Sequence, residues 1–124
     1  MTQQDDRSPQ VAVNLTELLI RVDNDRDLLR ELIEIFKEEF PRLVQQLREH
    51  IVRGDMKSVE STAHGLKGML SGLSAMRAAG VAARIEQIGR DGNPSELNDE
   101  VALLEREVEK ALPELDASIN EADS

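Results

Sequence analysis

Residues 26–53 read RDLLRELIEIFKEEFPRLVQQLREHIVR. Leu29, Ile33, Phe36, Phe40, Leu43 and Leu47 recur at alternating steps of three and four, which lays them along one stripe of an α-helix. The acidic run Asp23-Asn24-Asp25 in front offers an N-cap, and Gly54 behind offers a terminator. The stretch therefore predicts one long helix whose apolar stripe needs a partner of similar length. Pro41 lies inside it and predicts a bend and a missing backbone hydrogen bond.

The same period governs what lies on either side. Upstream, Leu15, Leu18, Leu19 and Val22 predict a short helix over 14–22, with Asn14 as its N-cap. Downstream, Asp55 caps a helix over 56–73, and Ala79, Ala82, Ile85 and Ile88 carry a further one over 75–90. The string Asp91-Gly92-Asn93-Pro94 is a turn with Pro94 placed to open the last helix, 95–119. That helix carries Leu97, Val101, Leu104, Val108, Leu112 and Leu115, and Pro113 should bend or shorten it. Strand signals are missing, because β-branched and aromatic residues never alternate over five or six positions. The expectation is all-α: an antiparallel four-helix bundle with a short extra N-terminal helix, spanning 13–120. Residues 1–12 read as a disordered tail or linker stub, and 121–124 as a flexible C-terminal tail.

Composition narrows the function. The chain has 124 residues, 25 acidic against 15 basic, for a formal net charge of -10. That excess disfavours a general nucleic-acid binder and electrostatic attachment to an anionic membrane. With no Cys there are no disulfides and no thiolate metal sites, and with no Trp or Tyr there is no stacking platform. The apolar run from Val11 to Ile20 is too short and too polar to span a bilayer, and the N-terminus lacks the order of a secretory signal. A cytoplasmic, monomeric domain is expected.

The helix over 56–73 holds the position that carries chemistry. On a wheel of roughly 100° per residue, Val59, Thr62, Leu66, Leu70 and Leu73 fall opposite His64. Lys57, Glu60, Ser61, Lys67, Gly68 and Ser71 gather around it, so the imidazole stands on the solvent face. Gly65, Gly68 and Gly72 weaken this helix by roughly 0.5 to 1 kcal/mol each relative to Ala, which calls for a reason. Gly68, one turn after His64, leaves room for something to approach the ring; Gly65 and Gly72 lie to the flank and suit close helix packing equally well. Lys67 reaches the same space, where its ammonium disfavours an imidazolium and can pair with an anion formed there. Counting Lys57, Glu60 and Lys67, the stripe is locally +1 within a chain of -10, although a plain Glu60–Lys67 surface pair is the blander account. Small neighbours (Ser61, Ala63, Gly65, Gly68, Ser71) make a flat surface suited to docking another protein. His50 stands fourteen residues away without carboxylates arranged as ligands, and reads as a surface residue near a helix C-terminus.

Ala63-His64-Gly65-Leu66-Lys67-Gly68, followed by Ser74-Ala75, resembles the core motif of the histidine-containing phosphotransfer (HPt) domain family of bacterial two-component phosphorelays. That pattern reads A-H-x-L-K-G with a Gly-Ala pair ten and eleven residues after the histidine. The long preceding helix with its internal Pro, the Gly-Asp turn and Ile85-Glu86 extend the likeness over about residues 13 to 119. Ser74 departs from the usual Gly and affects the turn. Met69 and Leu70 are bulkier than is common, and the wheel turns them toward the core.

The resemblance implies that His64 accepts a phosphoryl group on Nε2 from a receiver-domain aspartyl phosphate and returns it to another receiver aspartate. Lys67 would help hold the added charge, and Gly68 would leave space for it. Lys57, Glu60, Ser61 and Ser71 would line the docking face, and Glu60 is a candidate to orient the other ring nitrogen. The partners implied are response-regulator receivers, a (hybrid) sensor histidine kinase, or both. No cofactor is expected on this chain, the Mg²⁺ of such transfer belonging to the receiver. The chain would be a phosphorelay intermediate and not an enzyme, for it lacks nucleotide-binding signatures: Gly65-x-x-Gly68 has neither the preceding strand nor the ending of a P-loop. The alternatives are the phospho-accepting domain of a chemotaxis-type kinase and a non-catalytic helical adaptor. A kinase dimerisation domain ranks lower, since its histidine is typically followed by an acidic residue, and here Gly65 follows.

Overall fold

A computed structural model describes residues 12–91 and 93–122. Helix α1 spans Leu15–Arg21, α2 Arg26–Arg53, α3 Met56–Gly72, α4 Met76–Asp91 and α5 Leu97–Glu121. Among the described residues there is no strand. The long helices α2 to α5 form the four-helix bundle, and α1 is the short extra helix.

Capping chemistry fixes the boundaries. Asn14, Asp25 and Asp55 each accept a hydrogen bond from the amide three residues on, at 3.1, 3.0 and 3.2 Å, and such a cap contributes about 1 kcal/mol. Gly54 adopts φ 71°, the left-handed conformation that only glycine takes freely, and ends α2. Two residues then separate α2 from α3, so α3 must run back along α2. Neither proline breaks its helix: Pro41 lies within an uninterrupted α2, and α5 passes Pro113 without being shortened. Pro94 opens a single 3-10 turn, Pro94–Glu96, that leads into α5. Gly92 of the expected turn lies outside the described residues.

The core is one cluster drawn from every helix, with Phe36, Leu47, Leu66, Leu70, Ile85, Leu104 and Leu115 buried at its centre. Two expected core positions shift by one residue. Val44 is buried and Leu43 only half-buried, because Val44 faces the α5 side, where it shares a groove with Val108 and Leu112. Ala111 likewise replaces Leu112 in the interior. Thr62, expected opposite His64, is half-buried, and Ala63, expected beside the docking stripe, is wholly buried under α3.

The domain reaches slightly further than the sequence suggests. The first eleven residues of the expected tail lie outside the described residues, but Ala12 is buried, and the Ala12 and Val13 amides donate to the Glu114 carboxylate. At the other end α5 continues to Glu121 and Ala122 is buried, which corrects the expected flexible tail for those two residues; 123–124 lie outside the description. Arg26 holds this end by donating to the carbonyls of Ile119 and Ala122 at 3.1 and 2.9 Å. Here a guanidinium serves as the C-terminal cap, compensating carbonyls that have no helical partner.

The α3–α4 turn carries local strain. Ser74 adopts φ 57° while fully buried, and its Oγ has no hydrogen-bond partner among the described residues. A left-handed conformation costs a residue with a Cβ roughly 1 to 2 kcal/mol, and an unpaired buried hydroxyl adds to that. Ser74→Gly removes both, against the greater chain entropy that glycine gives the unfolded state. The expected net effect is a gain of about 1 kcal/mol. It is read as a rise in the urea midpoint at unchanged slope; an unchanged or lower midpoint would refute the strain assigned here.

Candidate functional site

The site arises where α3 and α4 pack most closely. A Cβ at Gly89 would lie 2.8 Å from the Glu60 backbone nitrogen and 3.1 Å from the Met56 carbonyl oxygen, so only glycine lets the helices approach this far. Buried Ala63 on α3 and Ala78, Ala79 and Ala82 on α4 keep the seam narrow. The register is antiparallel: Glu60 pairs with Arg90, and His64 with Glu86. One turn along each helix thus brings the next pair together.

His64 exposes 68% of its side chain, whereas Glu86 exposes only 10%. Its Nδ1 lies 3.0 Å from Glu86 Oε2. A carboxylate can only accept, so Nδ1 carries a proton and donates, and in the neutral ring the lone pair is then on Nε2. Lys67 Nζ lies 2.8 Å from Glu86 Oε1. Arg90 donates to Glu86 Oε2 at 3.3 Å and to Glu60 Oε2 at 2.9 Å. The Lys67 ammonium, helped by the His64 hydrogen bond, holds the Glu86 carboxyl below the usual carboxylate range against the opposing effect of burial. Glu60 in turn raises the pKa of Arg90. The network is two anions, two cations and one imidazole, with every charge paired.

Two expectations are corrected. Glu60 does not orient His64, because Arg90 reaches across from α4 and occupies it; Glu86 makes that contact instead. Lys67 forms no surface pair with Glu60 but bonds Glu86. Glu86 was visible in sequence only as part of the Ile85-Glu86 pair. The physical signal was a carboxylate on the apolar face of α4, between Ile85 and Gly89, where burial demands a cation.

The remaining expected residues fall around this centre. Lys57 and Ser61 are exposed on α3, and Ser71 is half-buried. Gly65, Gly68 and Gly72 all face open space, so close packing explains none of them; the packing glycine is Gly89. Beside Gly68 and Gly72 runs a groove completed by Leu32, Ile35, Phe36, Met69 and Leu73. Leu28, Leu32 and Ile35 stand exposed along one side of α2, at the spacing of a single helical stripe. Leu70 is buried as the wheel indicates, while Met69 is half-buried and lines the groove. His50 is half-buried, not a free surface residue, and its Nδ1 has no partner among the described residues.

No cluster of metal-ligating side chains occurs among the described residues, and no helix there is long and apolar enough to cross a membrane. An exposed imidazole with a fixed Nδ1 proton is chemically a nucleophile at Nε2, and Lys67 beside it can answer an incoming negative charge. Arg77 and Glu107, which tie α4 to α5 through a 3.0 Å pair, lie away from this group and serve the bundle; Arg77 keeps the buried Glu107 carboxyl below its ordinary range.

Comparison with known proteins agrees with the geometry. No curated protein and no solved structure matches the chain. The family model for the Hpt domain matches residues 31–120, from the first turns of α2 almost to the end of α5, and includes His64, Glu86 and every residue bonded to them. Members of that family are phosphotransfer intermediates that work with receiver domains and histidine kinases of two-component systems. By fold, by site and by this match over most of its length, the chain belongs to the Hpt domain family.

Proposed function

We propose that the chain relays phosphoryl groups between receiver domains, with His64 as the acceptor. The observation that carries this reading is the His64–Glu86 bond: it fixes the proton on Nδ1 of a ring that is otherwise exposed, so Nε2 is free to attack. Phosphoryl transfer asks for an in-line nucleophile and neutralisation of charge and little else from this partner. Lys67 supplies the charge, and the open space at Gly68 admits the phosphoryl group. The receiver docks over Lys57, Glu60, Ser61 and Ser71, with the exposed Leu28, Leu32 and Ile35 of α2 as its apolar margin. The receiver brings the Mg²⁺. In this reading the chain acts as a monomer in the cytoplasm, one imidazole serving one receiver at a time.

The test is mass spectrometry after incubation with phosphorylated receivers and, separately, with a kinase catalytic core and ATP. An acid-labile adduct on His64 from a receiver is the expected result. An adduct at any other residue overturns the assignment. Labelling by the kinase core alone would replace the relay with the phospho-accepting domain of a chemotaxis-type kinase.

A further inference from the structure

Lys67 has two anions to serve and a single ammonium. In the resting chain it is bonded to Glu86 at 2.8 Å, whereas the relay needs it at the phosphoryl oxygens. Glu86 exposes only 10% of its side chain, so its carboxylate has little water to turn to once the lysine leaves. We propose that Arg90 is a positioning residue that takes over Glu86 when His64 is phosphorylated, and so releases Lys67 to the phosphoryl group. The inference rests on the relay reading and adds to it the group that frees the lysine.

Arg90 is already placed for this exchange. Its guanidinium spans the α3–α4 seam, donating from Nε to Glu60 Oε2 at 2.9 Å and from Nη2 to Glu86 Oε2 at 3.3 Å. The shorter bond goes to the carboxylate that needs it less. Glu60 exposes 32% of its side chain and can be hydrated, whereas Glu86 is nearly closed to solvent. A small turn of the guanidinium tightens the second bond at the expense of the first, and its planar fork matches a carboxylate. Gly89 brings the α4 backbone against Glu60, so Arg90, the next residue, starts from the seam itself. The charges balance in both states. At rest Lys67 and Arg90 face Glu86 and Glu60; after phosphorylation Arg90 faces Glu86, Lys67 faces the phosphoryl oxygens, and Glu60 faces water.

Two substitutions that break the same ion pair distinguish this role from a merely structural one. Arg90→Gln and Glu60→Gln each remove the Glu60–Arg90 bridge between α3 and α4. A bridge that only clasps the helices would make both variants harm the site alike. A bridge that parks Arg90 makes them differ. Arg90→Gln leaves Lys67 as the one ammonium or guanidinium bonded to Glu86 and holds it there. Glu60→Gln leaves Arg90 free to serve Glu86 and lets the lysine go.

The full chain and both variants are phosphorylated with phosphoramidate, a small donor that needs no receiver. In that step His64 Nε2 attacks phosphorus, the new N–P bond forms, and the donor's protonated nitrogen leaves as ammonia with the old bond pair. Uptake is followed by ³¹P NMR at constant pH, with urea denaturation to verify folding. Arg90→Gln should take up the phosphoryl group roughly tenfold more slowly than the parent, the loss expected for one hydrogen bond between charged groups. Glu60→Gln should be at least as fast as the parent. Slowing in Glu60→Gln, or a parental rate in Arg90→Gln, overturns the inference: the bridge is then a clasp, or idle. The parent alone gives a check independent of the variants' folding. On phosphorylation the ¹⁵N signals of Lys67 Nζ and Arg90 Nε should both move, and an unmoved Arg90 signal refutes the exchange. Each of these failures leaves phosphohistidine at His64, and hence the relay reading, standing. Absence of phosphohistidine at His64 in the parent refutes the relay reading and this inference with it.

Discussion

Replacing His64 by Gln should abolish phosphoryl uptake completely while leaving the fold untouched. The two halves of that result have separate causes. Uptake fails because a glutamine amide nitrogen has no free lone pair with which to attack phosphorus, whereas Nε2 of an Nδ1-protonated imidazole has one. The fold survives because His64 exposes 68% of its side chain and holds one hydrogen bond. Removing it strands no charge: Glu86 keeps Lys67 at 2.8 Å and Arg90 at 3.3 Å. Stability should stay within about 0.5 kcal/mol of the parent, as for surface substitutions generally. Urea denaturation and transfer of ³²P from a labelled receiver read the two halves independently. His50 makes the measurement more pointed, being the other histidine of the chain. Residual labelling that survives in His64→Gln would move the acceptor elsewhere, and full retention of biological activity would favour an adaptor without chemistry.

Position within a helix was legible in the sequence, and position between helices was not. The bounds of α2 are those expected from residues 26–53, because Asp25 and Gly54 punctuate an unbroken stripe and both signals act locally. The exposure of His64 follows from the same arithmetic within α3. Glu60 fails as an orienting group for a reason outside α3. It lies one turn from His64, but Arg90 arrives from α4 and takes its carboxylate. Which residue of α4 meets which of α3 depends on how closely the helices pack, and that is set by Gly89 against the Glu60 backbone. A glycine near the end of a helix gives no sign in sequence of what it touches. The three glycines of α3 are costly to the helix, yet they face open space; the one that sets the register lies in α4. Helical periodicity separates inside from outside, and only the packing of α4 on α3 brings Glu86 to His64.

Gly68→Gln should make the protein more stable and a worse phosphotransfer partner. A Cβ at Gly68 meets nothing within 4 Å, so no core atom has to move. Within a solvent-facing turn of α3 the substitution trades the poorest helix former short of proline for a good one, a gain of roughly 0.5 to 1 kcal/mol. Function should move the other way. The same open space lies one turn from His64 and forms the rim of the groove with Leu32 and Ile35, where a receiver must seat to bring its aspartyl phosphate in line with Nε2. A long side chain there holds the two surfaces apart. A misfit of about 3 kcal/mol in the transfer complex corresponds to roughly a hundredfold slower transfer, since each 1.4 kcal/mol is a factor of ten. Phosphoramidate, small enough to pass the new side chain, should label Gly68→Gln within a few-fold of the parent. That contrast separates docking from chemistry. Gly65→Gln is the matched control, equally exposed and equally free of contacts, but away from the groove lining. It should gain similar stability and lose less transfer. If both variants transfer at the parental rate, the space at residue 68 is not the approach route of the receiver; if Gly68→Gln unfolds more readily, the glycine serves the fold.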